Sequence, residues 1–321
     1  IKTLNDNIIF GIKKGFLDFT LIVKNKKTYS NVCAPVAGVL DYYRKQNYEF
    51  DVVYENKESY VALTHFDSPL VVESVLLQGA ITFPFNTVWK FTSPEGINAL
   101  VSAFVLAIRQ ADVIEEGVVS SLEWCLNETM DNVLQHSNTG MGYVMAQLHK
   151  NFKRFSVCVF DAGVGIYNSF KHSKYTPRSP LDAITLAMME KVTRDEKVGQ
   201  GNGLWGLTNI INEAKGSLYI SSGGAVYSKN NKGTKTIETG HFYLGKQYGT
   251  TLIDFQLDYS NKINVAKALG GHMPTDLWLE NLENDSGEIE IHVAEQSGGT
   301  GTRKSAEKLR NLVLNILFQD R

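Results

Sequence analysis

The sequence predicts an α/β fold, and three stretches predict it. From Val157 to Ile166 an apolar alternating run, V-C-V-F, ends on Asp161 and breaks into Gly163 and Gly165. That pattern is a strand delivering one carboxylate to a rim where the backbone turns tightly and lets something approach. From about Glu115 to His136, apolar Val119, Leu122, Leu126, Met130 and Val133 recur at helical spacing and form one stripe. From Gly199 to Leu207, the run G-Q-G-N-G-L-W-G-L sets three glycines just before a helix.

The bulk numbers set the frame. A chain of 321 residues is expected to hold about two domains, with a third small one allowed. The formal net charge of −2 gives no electrostatic case for nucleic acid as the main partner. Three cysteines, Cys33, Cys125 and Cys158, lack metal-ligand spacing and read as buried reduced thiols of a cytoplasmic protein. No apolar run reaches the roughly 18 residues of a membrane helix, and V-S-A-F-V-L-A-I at 101–108 reads as a core helix. There is no signal-peptide pattern. The chain begins at Ile1 and ends in mid-pattern, so a fragment or processed chain is expected.

Taken in order, residues 1–90 read as a small α/β unit. F-L-D-F-T-L-I-V is a strand, a short helix starts at Val36 after Pro35, and Asp51–Tyr54 is a second strand. Near Phe91 the texture turns helical, with Thr92 and Glu95 as a capping box. The helix to His136 follows. On it Glu128, Asn132 and His136, at i, i+4 and i+8, share a face about 130° from the apolar stripe. One side packs, and the other presents a carboxylate, an amide and an imidazole in a row.

Strands G-Y-V-M-A-Q-L-H and R-F-S-V-C-V-F come next. Residues 167–198 then form a long polar loop with one short helix, L-D-A-I-T-L-A-M-M-E, an insertion whose length favours function over filler. A helix over Leu207–Ala214 leads to strands at Gly216–Ser221, Ala225–Ser228 and Gly249–Leu257. Residues 259–321 read as a linker and the start of a further α/β unit, cut short.

Together these stretches make a nucleotide site. Phosphates need backbone N–H groups aimed at them, and glycine turns feeding a helix N-terminus supply these at Gly199, Gly201 and Gly203 ahead of Leu204. A divalent cation on the phosphates wants hard oxygen ligands, and the Asn132 amide offers one without excess charge. Asp161 at a strand end can accept from an exocyclic amine, selecting adenine over guanine. Glu128, one helical turn before Asn132, is placed as a general base toward a hydroxyl or water attacking a γ-phosphate.

E-x-x-x-N-x-x-x-H, D-x-G-x-G-I, G-x-G-x-G-L-x-G-L and a terminal G-T strand resemble the N-box, G1 box, G2 box and last strand of the GHKL ATPases, the superfamily of gyrase, histidine kinases and MutL. The resemblance covers residues 92–257. It implies a Bergerat-type α/β sandwich, a mixed sheet with helices on one face, over residues 91–258. It also implies ATP and Mg²⁺ as ligands, with Asn132 holding the Mg²⁺ and Glu128 as the base. Asp161 is then for the adenine amine, Gly163, Gly165 and Ile166 for close approach, Gly199, Gly201, Gly203, Leu204 and Gly206 for the phosphates, and Thr250 beside the adenine.

Within the superfamily the texture is similar to the bacterial anti-sigma-factor serine kinases. Residues 1–90 and the segment G-T-R-K-S-A-E-K-L-R-N-L resemble STAS-like modules, which implies a STAS-like partner or domain, and GHKL relatives imply a homodimer. Three activities stay open: a serine/threonine protein kinase or ATP-driven switch, an ATPase driving dimer closure, and a silent ATP-gated module. None of the seven histidines sits in a phosphoacceptor-type helix.

Other residues have plainer readings. His136 either joins the site or ends its helix against the last carbonyls. Lys191, Arg194 and Lys197 read as a solvated charge run with one phosphate contact among them. Trp205 packs under the loop, and nothing near Cys125 makes it a nucleophile.

Overall fold

In the computed structural model the residues described are 2–24, 29–55, 63–189, 203–239, 244 and 249–270. The first part of the chain supplies α1 (Lys2–Lys13), β1 (Asp18–Val23), α2 (Ser30–Arg44), β2 (Glu49–Tyr54), β3 (Leu70–Val71), α3 (Val72–Gln78) and β4 (Trp89–Phe91). Then come α4 (Pro94–Ala111), α5 (Val118–His136), β5 (Gly142–His149), β6 (Arg154–Asp161), α6 (Gly165–Ser169) and α7 (Pro180–Ala187). Last are α8 (Gly203–Glu213), β7 (Ser217–Ser222), β8 (Ala225–Asn230), β9 (Gly233–Glu238), β10 (Thr251–Asp258) and α9 (Val265–Ala268).

Among the described residues one mixed sheet of eight strands runs β3-β4-β5-β6-β10-β7-β8-β9, and β1 pairs with β2 in a separate parallel pair. The α/β fold class and the mixed sheet are as expected, but helices lie on both faces rather than one, because α2 from the first ninety residues packs on the second. Within the large sheet β3–β4 is parallel, and β4–β5, β5–β6, β6–β10, β10–β7, β7–β8 and β8–β9 are antiparallel.

Register explains why the central strands read as nearly continuous apolar runs. Val144, Val159 and Ile253 align across β5, β6 and β10 on one face, and Met145, Cys158 and Asp254 align on the other. Both faces are covered, so both sets of positions are buried. On the first face lie α4 and α5. Phe104 of α4 meets Phe155 of β6 edge-on at 6.4 Å between ring centroids. Gly142 at the start of β5 leaves room for Phe91 and Val133.

The second face is closed by α2, whose Ala34, Ala37, Val39 and Leu40 share an apolar cluster with Tyr143, Met145, Cys158, Phe160 and Leu252. Gly38 makes this approach possible, because a side-chain carbon there would press into the Phe160 ring and lie 3.0 Å from Tyr143. Asp41 of α2 accepts hydrogen bonds from Lys90 Nζ at 2.7 Å and from the Tyr143 hydroxyl, pinning the helix to β4 and β5.

Several boundaries differ from the sequence reading. The helix expected after Pro35 starts at Ser30 and carries Pro35 inside it. A proline there removes one helical hydrogen bond at a cost of about 3 kcal/mol, a loss that burial of several side chains at roughly 1.5–3 kcal/mol each exceeds. The cap of α4 is Ser93, which accepts from the Gly96 N–H at 3.0 Å, with Pro94 as the first helical residue. Thr92 instead donates its N–H to Glu73 of α3, and the Ser93 hydroxyl donates to the same carboxylate oxygen. The helix expected from Glu115 starts at Val118, after Gly117 turns the chain at φ +76°. Elements α1, β3, α3, β4 and β9 had no strong sequence signal. Residues 271–321, and with them the expected C-terminal strand and helix, lie outside the described residues. Among the described residues no helix is long and apolar enough to cross a membrane.

Candidate functional site

The site grows from the rim where β6 ends and β10 begins. Asp161 and Thr251 are paired across the two strands, and Ser222, the last residue of β7, pairs with Thr251 from the other side. Asp161 is only 3% exposed. Its Oδ1 accepts the Gly163 N–H at 2.8 Å, so the first glycine after the strand orients the carboxylate. Gly163 also abuts the end of α5, where a side-chain carbon would come 2.6 Å from Ser137 Cβ and 2.6 Å from Asp161 Oδ1. Val164 donates its N–H to the Ser137 carbonyl at 3.0 Å, fastening the turn to that helix. Gly165 opens α6 at φ +76°, a value glycine adopts freely.

Thr250 enters this rim from the other strand. It donates its N–H to the Gly163 carbonyl at 3.0 Å and stands at φ +65°, which for a β-branched residue is an outlier that its surroundings must hold. Its Oγ1 is buried without a hydrogen-bond partner. The Ser222 hydroxyl donates to the Thr250 carbonyl at 2.8 Å and accepts the Ile166 N–H at 2.9 Å.

One to two turns back along α5 lie Glu128 and Asn132, and here α8 arrives. A side-chain carbon on Gly203 would sit 2.7 Å from Glu128 Oε2 and 3.1 Å from Asn132 Nδ2. With glycine there, the helix starts this close while the carboxylate and the amide keep their places. One turn on, Gly206 leaves room for the Trp124 indole of α5 and for Leu269, which seats α8 against α5 and α9. Leu204 between them is half-buried, with its carbonyl accepting from Thr208 Oγ1 at 2.8 Å.

Electrostatics single out Glu128. Burial, with the Asp131 charge as a second cause, pushes its pKa up to about 7. A carboxyl poised there exchanges protons near neutrality, which is what a general base requires. Burial, then the Glu128 charge, holds the Cys125 thiol well above its ordinary value, which argues against a nucleophile there.

The structure thus gathers Asp161, Gly163, Gly165, Ile166 and Thr250 at the rim of β6 and β10, and it sets Gly203, Leu204 and Gly206 of α8 along α5, with Gly203 against Glu128 and Asn132. Gly199 and Gly201 lie outside the described residues, as do Lys191, Arg194 and Lys197. His136 is the last residue of α5. Trp205 lies by Gly270, with its ring 3.2 Å from where a side-chain carbon there would be. Among the described residues no group of three His, Cys, Asp or Glu side chains forms a metal cluster. The Asn132 amide turns its Nδ2 toward Gly203, and its carbonyl oxygen is the kind of hard donor that a Mg²⁺ ion would take.

Sequence reading missed Ser222 and Ser137. Ser222 follows an apolar strand and precedes Gly223-Gly224, so a hydroxyl at a strand end before a turn was the available signal. Ser137 acts through its carbonyl, and any residue supplies one.

No known family profile matches the sequence, and no curated protein does. Among solved structures the chain is similar to a mycobacterial sensor histidine kinase, MprB, at 18% identity. The match covers 49% of this chain and 91% of that one, with a TM-score of 0.28.

Proposed function

We propose that this chain binds Mg-ATP at the rim of β6 and β10 and moves its γ-phosphate to a protein hydroxyl, as a serine/threonine kinase or ATP-driven switch. The observation that carries the reading is the approach of Gly203 to Glu128 and Asn132. It brings a glycine-led helix, which suits phosphates, against a carboxylate with pKa about 7. Asp161, held by Gly163, would accept from the adenine amine, and Thr250 would lie beside the ring.

In the transfer step Glu128 takes the proton of the attacking hydroxyl as its oxygen bonds to the γ-phosphorus. The bond from that phosphorus to the bridging oxygen breaks, and ADP leaves with its electron pair. A Mg²⁺ ion held by Asn132 supplies charge neutralisation on the phosphates when bound. Residues 91–258 are the nucleotide-binding part of this reading, residues 1–90 its α/β companion, and a STAS-like protein or domain the acceptor. A homodimer and a cytoplasmic setting belong to the same proposal.

A second reading keeps the site and replaces the hydroxyl by water, because a base titrating near neutrality serves either nucleophile. Mg²⁺-dependent turnover of γ-labelled ATP, followed as free phosphate and as protein-bound label, separates the two. Label on protein that disappears in Glu128→Ala identifies the kinase. Free phosphate that disappears in the same variant identifies the ATPase. ATP that raises the melting temperature without turnover leaves a silent binding module, and ATP that does neither removes the reading. Asn132→Ala is expected to abolish the Mg²⁺ dependence of binding.

A further inference from the structure

Four segments meet at the rim, and one side chain joins three of them. The Ser222 hydroxyl, on a residue 1% exposed, uses its donor on the Thr250 carbonyl and its acceptor on the Ile166 N–H. Thr250 passes the connection to Gly163 through its N–H, and Gly163 passes it to Asp161 Oδ1. The path from Ser222 to the Asp161 carboxylate therefore runs through three consecutive hydrogen bonds of 2.8, 3.0 and 2.8 Å. Neither Ser222 bond belongs to the ladder of β7, whose pairing with β10 and β8 stands without the hydroxyl.

Two observations say what this chain of bonds is for. Thr250 sits at φ +65°, and a β-branched residue leaves that region unless its peptide groups are tied down. Ser222 ties the carbonyl, and Gly163 ties the N–H. The Thr250 Oγ1, buried and unpartnered, is a polar atom of the rim that protein alone does not satisfy.

We infer that Ser222 is a positioning residue for purine recognition: acting through Thr250 and Gly163, it fixes Asp161 toward a 6-amino group. The inference rests on the nucleotide reading above. Without the hydroxyl, Thr250 relaxes toward ordinary backbone angles, Gly163 loses its partner, and Asp161 loses its fixed orientation. Glu128 and Asn132 stand on α5 and are untouched, so KM for ATP rises while kcat holds.

The test compares ATP with inosine triphosphate, in which an oxo group replaces the amine, on the full chain and on Ser222→Ala and Ser222→Cys. Wild type is expected to prefer ATP. Loss of two hydrogen bonds is expected to weaken ATP binding about tenfold in Ser222→Ala. Affinity for inosine triphosphate should hold, so that the preference narrows. The nucleotide-free melting temperature should move by only a few degrees. Ser222→Cys, with a weak donor of similar shape, is expected to narrow the preference too, and decides the matter if the alanine variant does not fold. An unchanged preference in the folded variants, or an equal loss for both nucleotides, overturns the role of Ser222. Wild type that binds neither nucleotide removes the nucleotide reading itself, a distinct result.

Discussion

The two faces of the central sheet treat close approach in opposite ways. On the α2 face, Gly38 lets a helix sink onto the Phe160 and Tyr143 rings, and the space is filled by apolar side chains. On the α5 face, Gly163 and Gly203 bring backbone against Ser137, Asp161, Glu128 and Asn132, all groups that hydrogen-bond or carry charge. One face uses glycine to exclude everything else. The other uses it to bring backbone close to two carboxylates and an amide. A glycine in the sequence says only that something comes close; the partner decides whether the result is packing or a site.

Substitution at the two glycines should separate these cases. Gly38→Val has the largest expected effect. Its new carbons meet aromatic rings flanked by a buried helix and a sheet, so neither side can give. Destabilisation of about 3 kcal/mol or more is expected, read as a lowered denaturant midpoint, with release of α2 visible as exposed apolar surface. Gly203→Ala should barely move stability, because its carbon meets the ends of two side chains that can swing aside. The swing costs the arrangement of Glu128 and Asn132. ATP affinity is expected to fall at least tenfold with the melting temperature within a few degrees of wild type. Equal stability losses in the two variants would erase the contrast between the faces.

How much of this was legible in the sequence follows the same line. The V-C-V-F-D-A-G-V-G run marked β6 and its rim because a strand's alternation and a glycine break are local signals. That Glu128 and Asn132 share one face of α5 was legible from helical spacing, whereas their approach to Gly203 was not, because it depends on where α8 docks against α5. The start of α2 was not legible, because Pro35 argues locally against a helix that tertiary burial enforces. The α4 cap fell one residue from its expected place because Glu73, about 20 residues upstream in another helix, takes the Thr92 N–H. Ser222 was invisible for a similar reason: its importance lies in two backbone groups brought to it from distant segments.

The smallest expected effects concern two buried carboxyls, one on each face. Asp254 of β10 faces α2, accepts from the Asn31 amide at 3.2 Å, and is pushed by burial up to about 6 against an ordinary 3.8. Among the described residues Cys158 lies opposite it on β6 and Tyr219 opposite it on β7, and neither is a cation. Glu128, at about 7 against 4.5, is raised in the same sense. Each binds a proton in the fold that the unfolded chain has released, so each contribution to stability is complete below the ordinary pKa. It declines as pH rises through 6 for Asp254 and through 7 for Glu128. Asp254→Asn and Glu128→Gln remove the ionisable group, and both are expected to raise the melting temperature at pH 8 by a few degrees while changing little at pH 4. The two should differ in activity: Glu128→Gln gains stability and loses turnover, as a residue strained for function does, whereas Asp254→Asn gains stability at no cost in turnover. Melting curves from pH 4 to 8 beside turnover assays on both variants check this, and a Glu128→Gln protein that keeps full turnover would show that the carboxyl is buried for packing after all.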